Sequence, residues 1–93
     1  SLHTILEGND GFYREILSKT TIRQKSLLYA IATDGWASQI TSAAFIKRHR
    51  LTTASSVQAA IKKLREEDLV VEADRKYRIS DRFFGLWIIQ YIV

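Results

Sequence analysis

Between Ser55 and Ser80 the apolar residues change their spacing once, and that change limits what the chain can fold into. Val57, Ala60, Ile61 and Leu64 recur at i, i+3, i+4 and i+7, which is the stripe of a helix with one buried face. From Leu69 onward the period falls to two. LVVEA (69–73) and KYRIS (76–80) alternate as strands do, with only Asp74 and Arg75 between them, so a β-hairpin follows the helix. In that reading Val71 with Leu69, and Tyr77 with Ile79, share one face. The two-residue turn has no glycine, which leaves its type open.

Two further helical patterns lie upstream. Thr21 with Gln24 three residues later fits a capping box, and Ile22, Leu28, Ile31 and Ala32 follow at near-helical spacing until Gly35 stops the run. After a turn containing Trp36, Thr41 or Ser42 can cap a short helix with Ala43 or Ala44, Phe45 and Ile46 on its apolar side. That helix ends in the basic cluster KRHR, and Leu51 begins a tight turn. For the helix inside TTASSVQAAIKKLREE the cap is Thr53 or Ser55, and Ser55 with Gln58 fits a second capping box. Asp81 caps a last helix, RFFGLWIIQYIV, which is apolar nearly all round. At the other end, a Gly-Asn-Asp-Gly break at 8–11 precedes an amphipathic piece from Phe12 to Leu17.

Three stretches result: an N-terminal lead-in segment (1–20), a core (21–80) and a C-terminal aromatic helix (81–93). Helix, helix, tight turn, helix, hairpin is the order of a winged helix-turn-helix, a mainly α fold with a small β-hairpin. Three amphipathic helices close a core and the hairpin covers its open edge. An unrelated three-helix bundle with an added hairpin is the alternative that the pattern leaves open.

A chain of 93 residues has room for one small domain. Cysteine is absent, which removes disulfides and thiolate metal sites, and the only imidazoles are His3 and His49. His49, inside KRHR, reads as a solvated surface histidine, and Glu66, Glu67 and Asp68 as a solubilising cluster at a helix end. No nucleophile has a base near it in sequence. The expectation is therefore no catalytic residue, no cofactor site and no metal site in this chain. No leader is visible, and the longest apolar stretch falls short of the roughly 18 residues of a spanning helix, so no membrane partner is expected and the cytoplasm is the default compartment. Methionine is missing even at position 1 and the chain ends on WIIQYIV, which suggests a piece of a longer protein.

Charge is unevenly placed. Residues 1–46 carry four basic (Arg14, Lys19, Arg23, Lys25) and four acidic side chains (Glu7, Asp10, Glu15, Asp34), so the formal +4 lies entirely in 47–93. Lys47, Arg48, Arg50, Lys62, Lys63 and Arg65 form a run without an acid, and such a patch attracts phosphate backbones. On a DNA reading Ser55, Gln58 and Lys62 face the major groove. Thr52 or Thr53 and Lys63 then reach phosphates, while Arg75 and Lys76 touch the adjacent backbone or the minor groove from the wing tip. Ala59 and Glu66 on the same face weigh against it, as does the lack of an arginine placed to read guanine. Lysines on an outer helix face are equally ordinary solvation.

The string SSVQAAIKKLREEDLVVEADRKYRISDRFFGLWI resembles the C-terminal winged-helix domain of bacterial and archaeal ATPases of the AAA superfamily. The resemblance rests on Ser55-Ser56-Val57, Leu64, Leu69-Val70, Tyr77-Arg78-Ile79, and Asp81 with Phe83, Phe84 and Trp87; the upstream QKSLLYAIATDG (24–35) is similar too. Where that family usually has glycine before the Leu-Val strand, this chain has Asp68, so the local turn is expected to differ. The resemblance implies a P-loop core that binds ATP and Mg upstream of Ser1; this chain has no G-x-x-x-x-G-K-[ST] loop of its own. It also implies a non-catalytic accessory domain that docks on its own ATPase core or a partner protein and transmits nucleotide state. The alternative is a domain that binds double-stranded DNA through the third helix and wing.

In residues 83–93 every side chain except Gly85 and Gln90 is apolar or aromatic, and a helix of a small domain can bury one side only. Phe83 or Phe84, with Trp87, is expected against Leu28 and Ile31. Leu86, Ile89 and Val93 are expected to meet a second copy, giving a homodimer through this helix, or a neighbouring domain. The competing reading is that Leu2, Ile5, Leu6, Phe12 and Ile16 fold back over this surface.

Overall fold

The computed structural model describes residues Ser1–Val93 in full. In chain order the elements are α1 (Leu2–Gly8), α2 (Asp10–Ser18), α3 (Ile22–Asp34), β1 (Ala37–Ser38), α4 (Ala43–Arg48), α5 (Ala54–Glu66), β2 (Val70–Ala73), β3 (Lys76–Ile79) and α6 (Arg82–Tyr91). The fold is mainly helical with a small antiparallel sheet of order β1-β3-β2, as a winged helix-turn-helix requires.

The central helix, α3, begins as its sequence demands. Thr21 Oγ1 accepts from the Gln24 amide at 3.2 Å while Gln24 Oε1 accepts from the Thr21 amide at 3.0 Å, which satisfies two N–H groups that would otherwise lack partners. The helix ends at Gly35, whose φ of 75° and ψ of −69° form a γ-turn closed by the Trp36 N–H to Asp34 carbonyl bond of 2.9 Å. Glycine is the residue that adopts this geometry at low cost. Along α3 the buried positions are Leu27, Leu28, Ala30, Ile31 and Ala32, too many for a single stripe, because α5 packs on one side and α6 on another.

Two helices end alike. Past α4, Leu51 N–H reaches the Ile46 carbonyl (2.8 Å) and Arg50 N–H the Lys47 carbonyl (3.2 Å), with Arg50 left-handed at φ 56°. Past α5, Leu69 N–H reaches the Leu64 carbonyl and Asp68 N–H the Arg65 carbonyl, both at 3.0 Å, with Asp68 at φ 60°. Both are Schellman motifs with a non-glycine residue in the left-handed position. The turn at Asp68 therefore keeps the geometry a glycine would give, contrary to expectation.

The hairpin turn has Asp74 at φ 53° and Arg75 at φ 63°, the double positive φ of a type I′ turn. Its register differs from the alternation read in the sequence. Val70 lies opposite Ile79 and both are buried, while Val71 lies opposite Arg78 and is only half-buried. The inward face is thus Val70 with Ile79 and Tyr77, shifted by one residue on the first strand. A third strand, β1, pairs Ala37 with Tyr77 and Ser38 with Lys76; two residues carry too little pattern to announce it.

The N-terminal segment is two helices, and the break between them is confined to Asn9: Gly8 ends α1 and Gly11 lies inside α2. It belongs to the same core as the rest, because Leu6, Tyr13 and Leu17 join one buried cluster with Leu28, Ile31, Leu64, Phe84, Trp87 and Ile88. Tyr13 stacks on Phe84 at 4.9 Å and lies 5.4 Å from Trp87. Its hydroxyl donates to Asp81 Oδ2 at 3.2 Å, and Trp87 Nε1 donates to Asp10 Oδ1 at 3.1 Å. Between the two phenylalanines, Phe84 is buried and Phe83 is not. The fold-back covers only the Phe84/Trp87/Ile88 side of α6, and Leu2, Ile5 and Phe12 remain outside the core.

Candidate functional site

The outer face of α5 starts two residues earlier than a Ser55 cap would allow. Thr53 is the N-cap: its Oγ1 accepts from the Ser56 amide at 3.1 Å and lies 3.3 Å from Ser55 Oγ. The expected Ser55–Gln58 capping box does not form, because the extended backbone that a cap needs occurs at Thr53 (φ −132°, ψ 161°). With Val57, Ala60, Ile61 and Leu64 buried, Ser55, Gln58, Ala59, Lys62, Lys63 and Glu66 point outward as read from the sequence. Arg75 and Lys76 sit exposed at the tip of a short wing.

The structure divides the basic run. Lys63 Nζ is 3.1 Å from Glu67 Oε1, and the hydrogen bond and charge of that carboxylate raise the ammonium above its usual pKa. Arg65 pairs with Glu72 at 3.2 Å and so ties α5 to β2. Arg48 pairs with Asp34 at 2.7 Å. Lys47, Arg50, Lys62, Arg75 and Lys76 have no carboxylate within ion-pair distance. The shallow groove between α5 and the wing, however, is lined by Glu66, Asp68 and Glu72 as well as by Lys62 and Arg65. Arg23, at the start of α3, donates to Thr52 Oγ1 at 2.7 Å and so holds the α4–α5 turn.

His49 is not solvated. Its side chain is 12% exposed, packs on Phe45 at 4.6 Å between ring centroids, and places Nε2 3.2 Å from Asp34 Oδ1. The close approach lacks hydrogen-bond alignment, so it is a contact rather than a bond. The KRHR end of α4 thus meets the C-terminus of α3 at Asp34, which the sequence cluster alone did not show.

A second face lies across the molecule. Trp36, Phe83, Leu86 and Ile89 line one open groove of about 750 Å³ between the end of α3, β3 and α6. These four side chains and Val93 beside them are exposed over fractions from 38% at Leu86 to 62% at Val93. Leu86, Ile89 and Val93 were singled out by sequence, and all three stay uncovered. Trp36, Phe83, Arg78 and Arg82 were not. Trp36 comes from the γ-turn after α3, and Arg78 stacks over its ring at 5.5 Å while donating to the carbonyls of Ile79 (3.1 Å) and Ser80 (3.2 Å).

No cluster of three or more His, Asp or Glu side chains is placed to hold a metal ion, and no helix is long and apolar enough to cross a membrane. No curated protein and no solved structure matches the chain. The family model for a probable winged helix domain matches residues 11–90, which span α2 to α6. With its three helices, its hairpin wing and this match, the chain belongs to that winged helix family.

Proposed function

We propose that this winged helix acts by binding a protein rather than by catalysis, and that it docks through the Trp36–α6 face onto the core of a P-loop ATPase of the kind its sequence resembles. One observation carries the reading: Phe83, Leu86 and Ile89 follow one another at intervals of three residues along the uncovered side of α6, with Val93 exposed just past its end. That spacing is the seam onto which a neighbouring helix packs, and a connected apolar surface of this kind marks an interface. ATP and Mg would be held by the upstream core, and this domain would report its state through the dock. The test is Ile89→Glu in the parent protein: the domain stays folded, and ATP turnover or its regulation changes. A parent without a P-loop refutes the ATPase part, and unchanged behaviour of the variant refutes the dock.

DNA binding is the second reading, favoured by the unpaired Lys62, Arg75 and Lys76. Against it stand the acids in the groove between α5 and the wing, which face the path a duplex would take.

A further inference from the structure

We infer that the occupant of the Trp36–α6 groove is an amphipathic helix whose apolar stripe is flanked by carboxylates, supplied by another polypeptide or domain and not by a second copy of this one. The inference rests on the docking function proposed above and adds the partner's chemistry.

The charges around the groove are one-sided. Arg78 and Arg82 line it, and its only carboxylate is Asp81. That carboxylate already holds three donors: Oδ1 accepts from the Phe83 amide at 2.9 Å and the Phe84 amide at 3.3 Å, and Oδ2 accepts from the Tyr13 hydroxyl at 3.2 Å. Asp34, close in sequence, is held by Arg48 and His49 on the other side of the γ-turn. A cation on the partner would therefore meet one acid against two guanidiniums, and a wholly apolar partner would leave Arg82 partly dehydrated and unpaired, which is costly. A carboxylate placed beside the apolar stripe meets both guanidiniums in the geometry they favour.

The shape selects a helix. The open sheet edge next to Trp36 is β1, which has two residues and is followed by the left-handed Gln39 at φ 51°, so there is no length for strand addition. The partner's backbone must satisfy its own hydrogen bonds, and the stripe Phe83, Leu86, Ile89 and Val93 offers the matching ridge. A second copy fails on charge. In a two-fold contact the same face meets itself, so the four guanidiniums of Arg78 and Arg82 would face only the two Asp81 carboxylates, each already accepting three hydrogen bonds.

Three labelled synthetic helices with one Leu stripe and flanks of Glu, Gln or Lys test this by fluorescence anisotropy against residues 1–93, with sedimentation of the domain alone. The Glu helix should bind at least about tenfold more tightly than the other two, the scale of one close charge pair. Arg82→Glu should reverse the order in favour of the Lys helix. The substitution adds an acid to the first turn of α6, where the helix dipole welcomes it, so the fold persists. Leu86→Glu should abolish binding. If all three helices bind equally and Arg82→Glu changes nothing, the charge inference falls and the dock stands. If none binds at millimolar concentration, or binding survives Leu86→Glu together with Ile89→Glu, both fall. Dimerisation of the domain that Leu86→Glu abolishes would make the occupant a second copy and overturn the inference.

Discussion

The helices α5 and α6 both pack on α3, yet they turn opposite kinds of surface outward. On α5 the outer residues are polar, and much of their charge is already answered within the domain, by Lys63 with Glu67 and Arg65 with Glu72. On α6 the outer residues are Phe83, Leu86 and Ile89, with Val93 just past its end, and all four are exposed. In a winged helix the third helix is the conventional reader of DNA. Here the exposed apolar surface is on α6 instead, so a position in the fold does not by itself say which face binds.

The largest effect should come from the inner side of α6. Trp87→Ala removes a fully buried ring and the donor to Asp10, and should cost about 3–5 kcal/mol in denaturant unfolding. Leu86→Ala, one residue away, should stay within about 0.5 kcal/mol. Equal losses would erase the distinction between the two sides of this helix.

The α5 side carries backbone strain instead. Arg50→Gly and Asp68→Gly should each stabilise by about 1 kcal/mol, because a left-handed backbone penalises any side chain with a Cβ. They lie at the ends of different helices, so the gains should add. A loss in either would mean that the side chain, not the backbone, governs that turn.

Tyr13→Phe keeps the stacking on Phe84 and removes the bond to Asp81, and should cost about 1 kcal/mol at neutral pH. Burial first, then the charge of Asp81 and the hydrogen bond to it, hold the Tyr13 phenol above its ordinary value of 10.0. The folded state thus retains the proton more tightly than the unfolded chain. This contribution is complete below about pH 10 and is lost as pH rises through the raised folded value. Alkaline unfolding should be steeper in the native protein than in Tyr13→Phe.

The smallest effects should be on the α5 face. Lys62→Ala and Lys63→Ala should each change stability by less than about 0.5 kcal/mol. If duplex DNA is retarded at all, Lys62→Ala should lower the salt dependence by about one log–log unit and Lys63→Ala by less, since Glu67 already holds the second ammonium. Strong retardation at physiological salt would reverse the ranking of the two faces.

What was legible in the sequence was local. The capping box of Thr21 with Gln24, the cap at Asp81 and the helical stripe from Val57 to Leu64 each involve residues within a turn or two, and each formed. The failures are non-local. Whether Val70 or Val71 faces the core depends on the register with β3, which the Asp74–Arg75 turn sets, and β1 exists only because β3 is there to pair with it. His49 looked solvated because Asp34, its neighbour in space, is supplied by another helix. For the groove, the α6 stripe was readable and its opposite wall was not, since Trp36 reaches it from the far end of α3.

The bonds from Asp10 to Trp87 and from Tyr13 to Asp81 bridge 77 and 68 residues of chain. A growing polypeptide that has reached Ser80 already holds every residue of the helix-turn-helix and the hairpin, but not Phe84, Trp87 or Ile88. The side of α3 that α6 covers, and Tyr13 with it, stays wet until residues 81–93 arrive. Closure of the core thus joins residues 10–17 to residues 81–88 across a large loop, and it waits for α6 to emerge. Until α6 docks, its aromatic inner side is exposed together with its apolar outer side, and the newborn domain passes through its most aggregation-prone moment when it is nearly complete.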